Sequence, residues 1–326
     1  MAVDVGQLEA RDDLPEPGPP GPGDVLVRTA VSAVSPGSEL RVLFDPETPF
    51  PVAGGTGYMA AGIVEAIGEA VAGLQPGDRV ACTAAGPHRE RLSARAEAVA
   101  HVPDGLGWAE AACAYWIVPP YRGLLAARPR LWEDAAVIGL GPLGLCAVQL
   151  LHGISRRTLA VDPLPSRRGL AARLGACAAS SPDDAERAGA DLLPNGADVV
   201  IELSGTQAGL ELALRLAAPR ARVAVIGVLP RLSNFELFRP LQDRGITLVP
   251  LYREGAALTG NPPDPTARYL AAALDMVAAR RVDVCSLVSR VMPWRAAPEG
   301  IAWLREHPDE GVGLAFTWLD GAATAA

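Results

Sequence analysis

AAVIGLGPLGLCAVQLLHGI, residues 135–154, is the stretch on which the fold turns. It carries no Asp, Glu, Lys or Arg and is long enough, at about twenty residues, to span a bilayer as one helix. Gly139, Gly141, Pro142 and Gly144 break it instead into strand, tight turn and helix. A short apolar strand enters the turn, an apolar helix leaves it, and the turn itself spells G-x-G-x-x-G. That context suits a dinucleotide. The first glycine permits the turn, the second lets backbone approach a pyrophosphate, and the third lets helix pack on strand. Pro142 and Leu143 open the helix, whose first N–H groups offer partial positive charge to phosphates.

Asp162 closes the next strand, 18 residues after Gly144. A carboxylate there accepts hydrogen bonds from the adenine ribose and repels a 2′-phosphate, so NAD(H) is expected ahead of NADP(H). Arg167 and Arg168 follow and keep NADP(H) open; the other reading of these arginines is a solvated helix start. Strand–helix alternation continues from the turn. RTLAVD leads into PSRRGLAARLGA, and ADVVIELSG into QAGLELALRLA, followed by RVAVIG and ITLVPLY. The pattern is that of a doubly wound parallel sheet of Rossmann type in an α/β protein.

Before about residue 103 the text differs. DVLVRTAVSAV, AAGIVEAIG and LQPGDRVACTA read as short strands between glycine turns, which indicates a β-rich, barrel-like unit. The run PEPGPPGPG (residues 15–23) reads as a rigid surface turn because a strand follows it at once. Beyond about residue 252 come a polar loop (GNPPDP), a helix over residues 266–280, and a closing strand, helix and strand.

Composition narrows the function classes. With 326 residues, 49% of them hydrophobic, the chain can bury cores for two domains. A formal charge of -8 disfavours nucleic acid and anionic membrane surfaces as main partners. Five scattered cysteines with no C-x-x-C pair suggest neither a disulfide framework nor a thiolate zinc site, so a cytoplasmic location is expected. The start MAVDVGQLEARDD does not read as a signal peptide. All 29 basic residues are arginine. Without a lysine amine, Schiff-base aldolases, pyridoxal-phosphate enzymes, Walker-type phosphate loops and lysine-assisted tyrosine dehydrogenases are excluded.

The order of parts resembles the medium-chain dehydrogenase/reductase family over nearly the whole chain. GTGYMAAGIVEAIGEAVAGLQPGDRV (residues 55–80) resembles that family's G-H-E segment, and GADVVIELSG with RVAVIG resembles its fourth and fifth Rossmann strands. SRVMPWRAAPEGIAWLREHP (residues 289–308) resembles its closing strand and helix. The resemblance implies a GroES-like substrate domain over residues 1–116 and 254–326, with the Rossmann domain inserted at 117–253. It also implies cofactor contacts at Ser204, Gly205, Ile226, Gly227 and Val228.

Many members of the family are zinc enzymes. Here Pro36 stands where the first ligand, a cysteine, is expected; Tyr58 replaces the histidine of G-H-E; and Tyr115, in EAACAYWIVPP, is the best match to the third. Proline and two tyrosines are not zinc ligands, and His88, His101, His152 and His307 are too dispersed to repair the set. No zinc is expected, and VSPGSEL with Gly-Tyr for Gly-His resembles a zinc-less branch. Without a Lewis acid, a developing oxyanion needs hydrogen-bond donors. Tyr58 is the first candidate, Ser38 matches the family's proton-relay hydroxyl, and Tyr115 is a second donor. Packing alone is the competing reading of each. Glu39 and Arg41 read as a local ion pair or ribose contact. Trp116 reads as a stacking platform or as core.

The leading expectation is NAD(H)-dependent interconversion of a carbonyl and an alcohol on a small organic substrate. The alternatives are reduction of an activated C=C bond (an enone or quinone) or a C=N bond, and a dinucleotide-binding sensor or scaffold. Substrate is expected where Tyr58, Tyr115, Ile226 and Val228 converge. The apolar ITLVPLY edge makes a homodimer or higher homo-oligomer plausible.

Overall fold

The computed structural model describes residues 2–4, 7–45, 56–84, 86, 88–229, 231–251 and 266–319. The GNPPDP loop (residues 260–265) lies outside the described residues. The chain forms two compact units, one of Met1–Tyr115 with Arg253–Ala326 and one of Trp116–Tyr252.

The first unit contains strands β1 (Ala2–Asp4), β2 (Gln7–Leu8) and β3 (Asp24–Ala33), helix α1 (Pro36–Phe44), strands β4 (Met59–Ile67), β5 (Arg79–Thr83), β6 (Arg91–Arg95) and β7 (Val99–His101), and helix α2 (Trp108–Cys113). In the second unit α3 (Val118–Ala127) precedes β8 (Asp134–Ile138), α4 (Pro142–Leu151), β9 (Arg157–Val161), α5 (Pro165–Arg173), β10 (Ala178–Ser180) and α6 (Ala185–Leu192). It ends with β11 (Ala197–Glu202), α7 (Gln207–Leu216), β12 (Ala217–Val225) and β13 (Thr247–Pro250). The chain then returns to the first unit through α8 (Thr266–Ala278), β14 (Val288–Pro293), α9 (Ala297–Glu306) and β15 (Gly313–Thr317).

The second unit is a six-stranded sheet in the order β10-β9-β8-β11-β12-β13, every pair parallel. Strand order reverses direction between β8 and β11, so the carboxyl ends of these strands flank the switch point where such sheets bind ligands. β8 is buried along its whole length, as a strand covered on both faces must be. Its core joins Ala136, Ile138, Leu159, Val161, Val200, Leu210, Ala213 and Val223.

The uncharged stretch 135–154 divides as its glycines dictate. β8 ends at Ile138 and α4 begins at Pro142, giving a helix of 10 residues. Ten residues rise about 15 Å, half of a bilayer core. Among the described residues no helix is long and apolar enough to cross a membrane. Leu145, Ala147, Val148 and Leu151 are fully buried, and truncating a leucine at such a position costs about 2–5 kcal/mol. The short strand β10 and helix α6 carry no clear sequence signal: Ala178–Ser180 has no β-branched or large apolar residue.

The first unit is a GroES-like, barrel-like arrangement built on a seven-stranded sheet. The order is β14-β15-β3-β4-β5-β7, with β6 also pairing β3. β14 and β15 are parallel and the other pairs antiparallel. One core gathers Val25, Val27, Ala60, Val64, Val80, Cys82, Leu92 and Val99. A second, under α1 and α9, gathers Val34, Leu43, Ile301, Leu304, Leu314 and Phe316. The long strand β3 supplies Val25 and Val27 to the first, Val34 just past its end joins the second, and α1 follows at Pro36.

Candidate active site and dinucleotide cradle

In the second unit β8 delivers the chain into the glycine turn. Gly139 has φ +89°, and a Cβ on it would lie 2.7 Å from the Ser204 backbone nitrogen. A Cβ on Gly144 would lie 1.9 Å from the Gly139 carbonyl oxygen. Both glycines are therefore required by the fold itself. Gly141 is not: the nearest atom to its missing Cβ is Arg167 Nη1 at 3.9 Å, and its φ of -67° suits any residue. That open position, at the N-cap of α4, leaves backbone accessible where a phosphate would sit. Pro142 occupies the first helical turn, where its missing N–H costs nothing. Leu143 follows, half-buried.

Asp162 is buried, with 8% exposure, and its two oxygens are already engaged. Oδ2 accepts the Leu140 N–H at 2.7 Å and Oδ1 accepts the Leu164 N–H at 2.9 Å. Each oxygen retains a second lone pair, so the carboxylate can brace the turn and still accept a hydroxyl. The solvated-helix-start reading of Arg167 fails. The residue is buried and donates from Nη1 to the Leu140 carbonyl at 3.2 Å, because α5 returns its first turn over the glycine turn. Arg168 donates to the carbonyls of Asp162 and Pro163, both at 2.8 Å. Beside it a polar recess is lined by Arg168, Ser180, Ser181, Asp184 and Arg187.

Glu202, which sequence reasoning missed, gathers the remaining expected cofactor residues. Its carbonyl accepts N–H groups from Ile226 at 2.9 Å and Gly227 at 3.0 Å. Its carboxylate accepts the Ser204 N–H at 2.7 Å and also the Ser204 hydroxyl. Burial pushes this carboxyl above its usual pKa, against the opposing pull of Ser204. A Cβ on Gly227 would lie 2.4 Å from the Gly205 nitrogen, so the turns after β11 and β12 pack backbone to backbone. Val228 follows, half-buried.

In the first unit the expected catalytic residues come together. Ser38 lies in the first turn of α1, which Pro36 opens, and is half-exposed. Tyr58 immediately precedes β4, and its carbonyl accepts the Ala84 N–H at 3.2 Å. The half-buried Tyr58 side chain is hydrogen-bonded to the side chains of Ser35 and Ser38. Burial raises the pKa of its phenol, the Ser35 and Ser38 bonds oppose the rise, and the nearby Glu39 charge adds to it. Tyr115 meets Tyr58 edge to face, with ring centroids 5.7 Å apart. Trp116 is fully buried, as a core residue is.

Glu39 reaches across the fold to a residue far away in the chain. It is buried, and Oε2 lies 2.9 Å from Nε2 of His88, a residue 49 positions away. Oε1 accepts the Ser35 N–H at 2.7 Å. His88 Nδ1 lies 2.8 Å from Ser32 Oγ, which accepts the Trp318 Nε1–H at 2.9 Å. No spacing in the sequence could have linked His88 to Glu39; the loop after β5 brings it there. Among the described residues no group of three or more His, Cys, Asp and Glu side chains is placed to hold a metal.

Comparisons with known proteins agree with this architecture. The model for the alcohol dehydrogenase GroES-like domain matches residues 21–127, and that for the zinc-binding dehydrogenase domain matches residues 142–260. The chain is 27% identical over 260 residues to the uncharacterized zinc-type alcohol dehydrogenase-like protein YphC of Escherichia coli, covering 66% of this chain and 73% of that protein. It is 26% identical over 278 residues to L-threonine 3-dehydrogenase of Thermococcus kodakarensis, covering 72% and 77%. Alcohol dehydrogenase TADH from Thermus sp. ATN1 shares the fold with a TM-score of 0.82 at 24% identity, over 96% of this chain and 97% of that one. Two domain matches that together take in most of the sequence, and relatives at 26–27% identity, support placing the chain with the alcohol dehydrogenase-like proteins of the medium-chain dehydrogenase/reductase family.

Proposed function

We propose that this protein moves a hydride between NAD(H) and the carbonyl or alcohol carbon of a small organic molecule without using zinc, with Tyr58 as the hydrogen-bond donor at the reacting oxygen. The observation that carries the reading is the Tyr58 phenol, bonded to Ser35 and Ser38 and edge-on to Tyr115. Pro36, Tyr58 and Tyr115 stand where zinc relatives carry metal ligands. A proline has no donor atom, and the Tyr58 hydroxyl is already engaged by two serines with a pKa above the ordinary phenol range. These groups do not fit zinc, which takes thiolate, imidazole or carboxylate.

The cradle residues do fit a dinucleotide. Gly141 leaves open backbone at the helix mouth, α4 offers its N–H groups to a pyrophosphate, and Asp162 reaches toward a ribose diol. The Asp162 carboxylate favours NAD(H) over NADP(H). Bound there, the nicotinamide supplies the hydride for reduction or takes it up in oxidation. Tyr58 donates to the substrate oxygen and stabilises the negative charge that develops on it. Its raised pKa keeps it a phenol at neutral pH, suited to protonating an alkoxide as the oxygen gains charge. Ser38, half-exposed, is the proton's route between Tyr58 and water. Among the described residues β13 pairs with β12 alone, and its outer edge suits pairing with a second copy of the chain. Five scattered cysteines with no C-x-x-C pair suit a reducing, cytoplasmic compartment.

The test is a titration of NADH fluorescence together with turnover on an aldehyde and ketone panel, for wild type and Tyr58→Phe. The variant should bind NADH as wild type does and lose turnover by about a hundredfold or more. Equal turnover in both proteins would remove Tyr58 from the mechanism. Binding without turnover on any member of the panel would favour a sensor.

A further inference from the structure

We infer that His88 is a positioning residue, which with Glu39 and Ser32 forms a buried clasp that holds the α1 turn carrying Ser35 and Ser38 against the segment carrying Tyr58. The inference rests on the reading of Tyr58 as the donor, and extends it to a residue that no motif points to. Zinc ligands on these two segments would join them through a metal; here the join is made by hydrogen bonds.

The geometry of His88 argues for this. The residue is 2% exposed, and both ring nitrogens are engaged, Nε2 with Glu39 at 2.9 Å and Nδ1 with Ser32 at 2.8 Å. A Cβ on Gly57 would lie 2.6 Å from His88 Cδ2, so the imidazole lies against the backbone immediately before Tyr58. Gly57 has φ +91°, a conformation that favours glycine independently of the contact. Phe316 closes another side, edge to face, with centroids 5.2 Å apart. One side chain thus touches β3 through Ser32, α1 through Glu39, and the entry to β4 through Gly57.

Hydrogen-bond direction makes the clasp self-consistent. Trp318 Nε1 can only donate, so Ser32 Oγ accepts from it and is free to donate its own hydrogen to His88 Nδ1. His88 then carries its proton on Nε2 and donates to the Glu39 carboxylate, whose other oxygen takes the Ser35 N–H at 2.7 Å. Ser35 is the link to chemistry: its backbone is bonded to Glu39 and its side chain to Tyr58. Displacing His88 therefore displaces Glu39, Ser35 and the phenol in turn. The titratable groups around that phenol, among the described residues, are Glu39 on α1, His88 behind Glu39, and Tyr115 across from it.

Two substitutions separate positioning from bulk. In His88→Gln the amide nitrogen can reach the place of Nε2 and donate to Glu39. In His88→Asn the shorter amide reaches only the place of Nδ1. His88→Asn should lose kcat by about tenfold or more, with KM and NADH affinity within about twofold, and His88→Gln should recover most of that loss. A second readout needs no turnover: tyrosinate absorbance against pH, taken as the difference between each protein and its Tyr58→Phe counterpart. Glu39→Gln should lower the Tyr58 midpoint, because a negative charge is removed. His88→Asn should move it and His88→Gln should not. Equal kcat losses in the two His88 variants, or a Tyr58 midpoint unmoved by both Glu39→Gln and His88→Asn, would overturn the inference. If wild type turns over no carbonyl or alcohol, the proposed reaction fails while the titration still judges the clasp. If His88→Asn does not fold, His88→Gln and Glu39→Gln decide by the same titration.

Discussion

The Asp162 carboxylate accepts the Leu140 N–H at 2.7 Å, tying the end of β9 to the middle of the glycine turn. The same carboxylate that braces the glycine turn is the group proposed to accept the ribose hydroxyls. Asp162→Ala should raise the Kd for NADH by about tenfold or more, or about 1.4 kcal/mol, while weakening NADPH less. Fluorescence titration with both nucleotides reads the ratio. An unchanged NADH affinity would mean that the carboxylate is only a brace for its own loop.

Gly141 and Gly144 should respond oppositely to the same added methyl group. Gly141→Ala meets no atom closer than 3.9 Å and should leave thermal stability unchanged or slightly raised, because alanine narrows the unfolded ensemble. It should nevertheless weaken NADH binding by about tenfold or more, since the methyl group enters the space proposed for phosphate. Gly144→Ala places its methyl 1.9 Å from a carbonyl oxygen and should destabilise the fold before any ligand is added. Calorimetry of the two variants with and without NADH checks both. A Gly141→Ala protein that binds NADH normally would argue against the cradle.

Metal dependence gives a third prediction. If Pro36, Tyr58 and Tyr115 take the ligand positions as proposed, purified protein should carry well under one zinc per chain. Prolonged treatment with a strong chelator should leave kcat unchanged. Elemental analysis paired with the turnover assay reads this, and chelator-sensitive activity restored by zinc would refute it.

Acid stability should depend on Asp134 at the start of β8. Its side chain is 2% exposed and pairs with both Arg156 and Arg157. Burial alone would raise its pKa, but hydrogen bonds and charge from the two arginines outweigh that, and the net direction is downward from 3.8. A carboxylate with a depressed folded pKa adds stability above its unfolded value. That stability is lost as the pH falls from about 4 through the lower folded value. Asp134→Asn should cost about 2–3 kcal/mol at pH 7 and flatten the loss of stability below pH 4. Denaturant unfolding at pH 7, 4 and 3 measures it, and a variant with the wild-type pH profile would count against the pair.

Much of the fold is local enough to read from residues. Gly139 needs a positive φ, Pro142 suits a helix start, and β8 is apolar throughout because both its faces are covered; each signal is contained within a few positions. Alternation of apolar strands with helices then implies the parallel sheet. β10 and α6 escaped because three small residues form a strand only when β9 is there to pair with them.

The sequence by itself determined the chemistry that is available. It has no lysine amine, it has a glycine turn of G-x-G-x-x-G form, and it has tyrosines at positions 58 and 115, where the family resemblance leads one to expect metal ligands. Tertiary structure alone decided which polar groups act together. Glu39 and His88 are 49 residues apart in the chain, and only antiparallel pairing of β3, β4 and β5 closes that gap to a hydrogen bond of 2.9 Å. Glu202 likewise collects Ser204, Ile226 and Gly227 because β11 and β12 lie side by side. Hydrogen bonds depend on distance in space, and spacing along a chain encodes that distance only within a single helix, strand or turn.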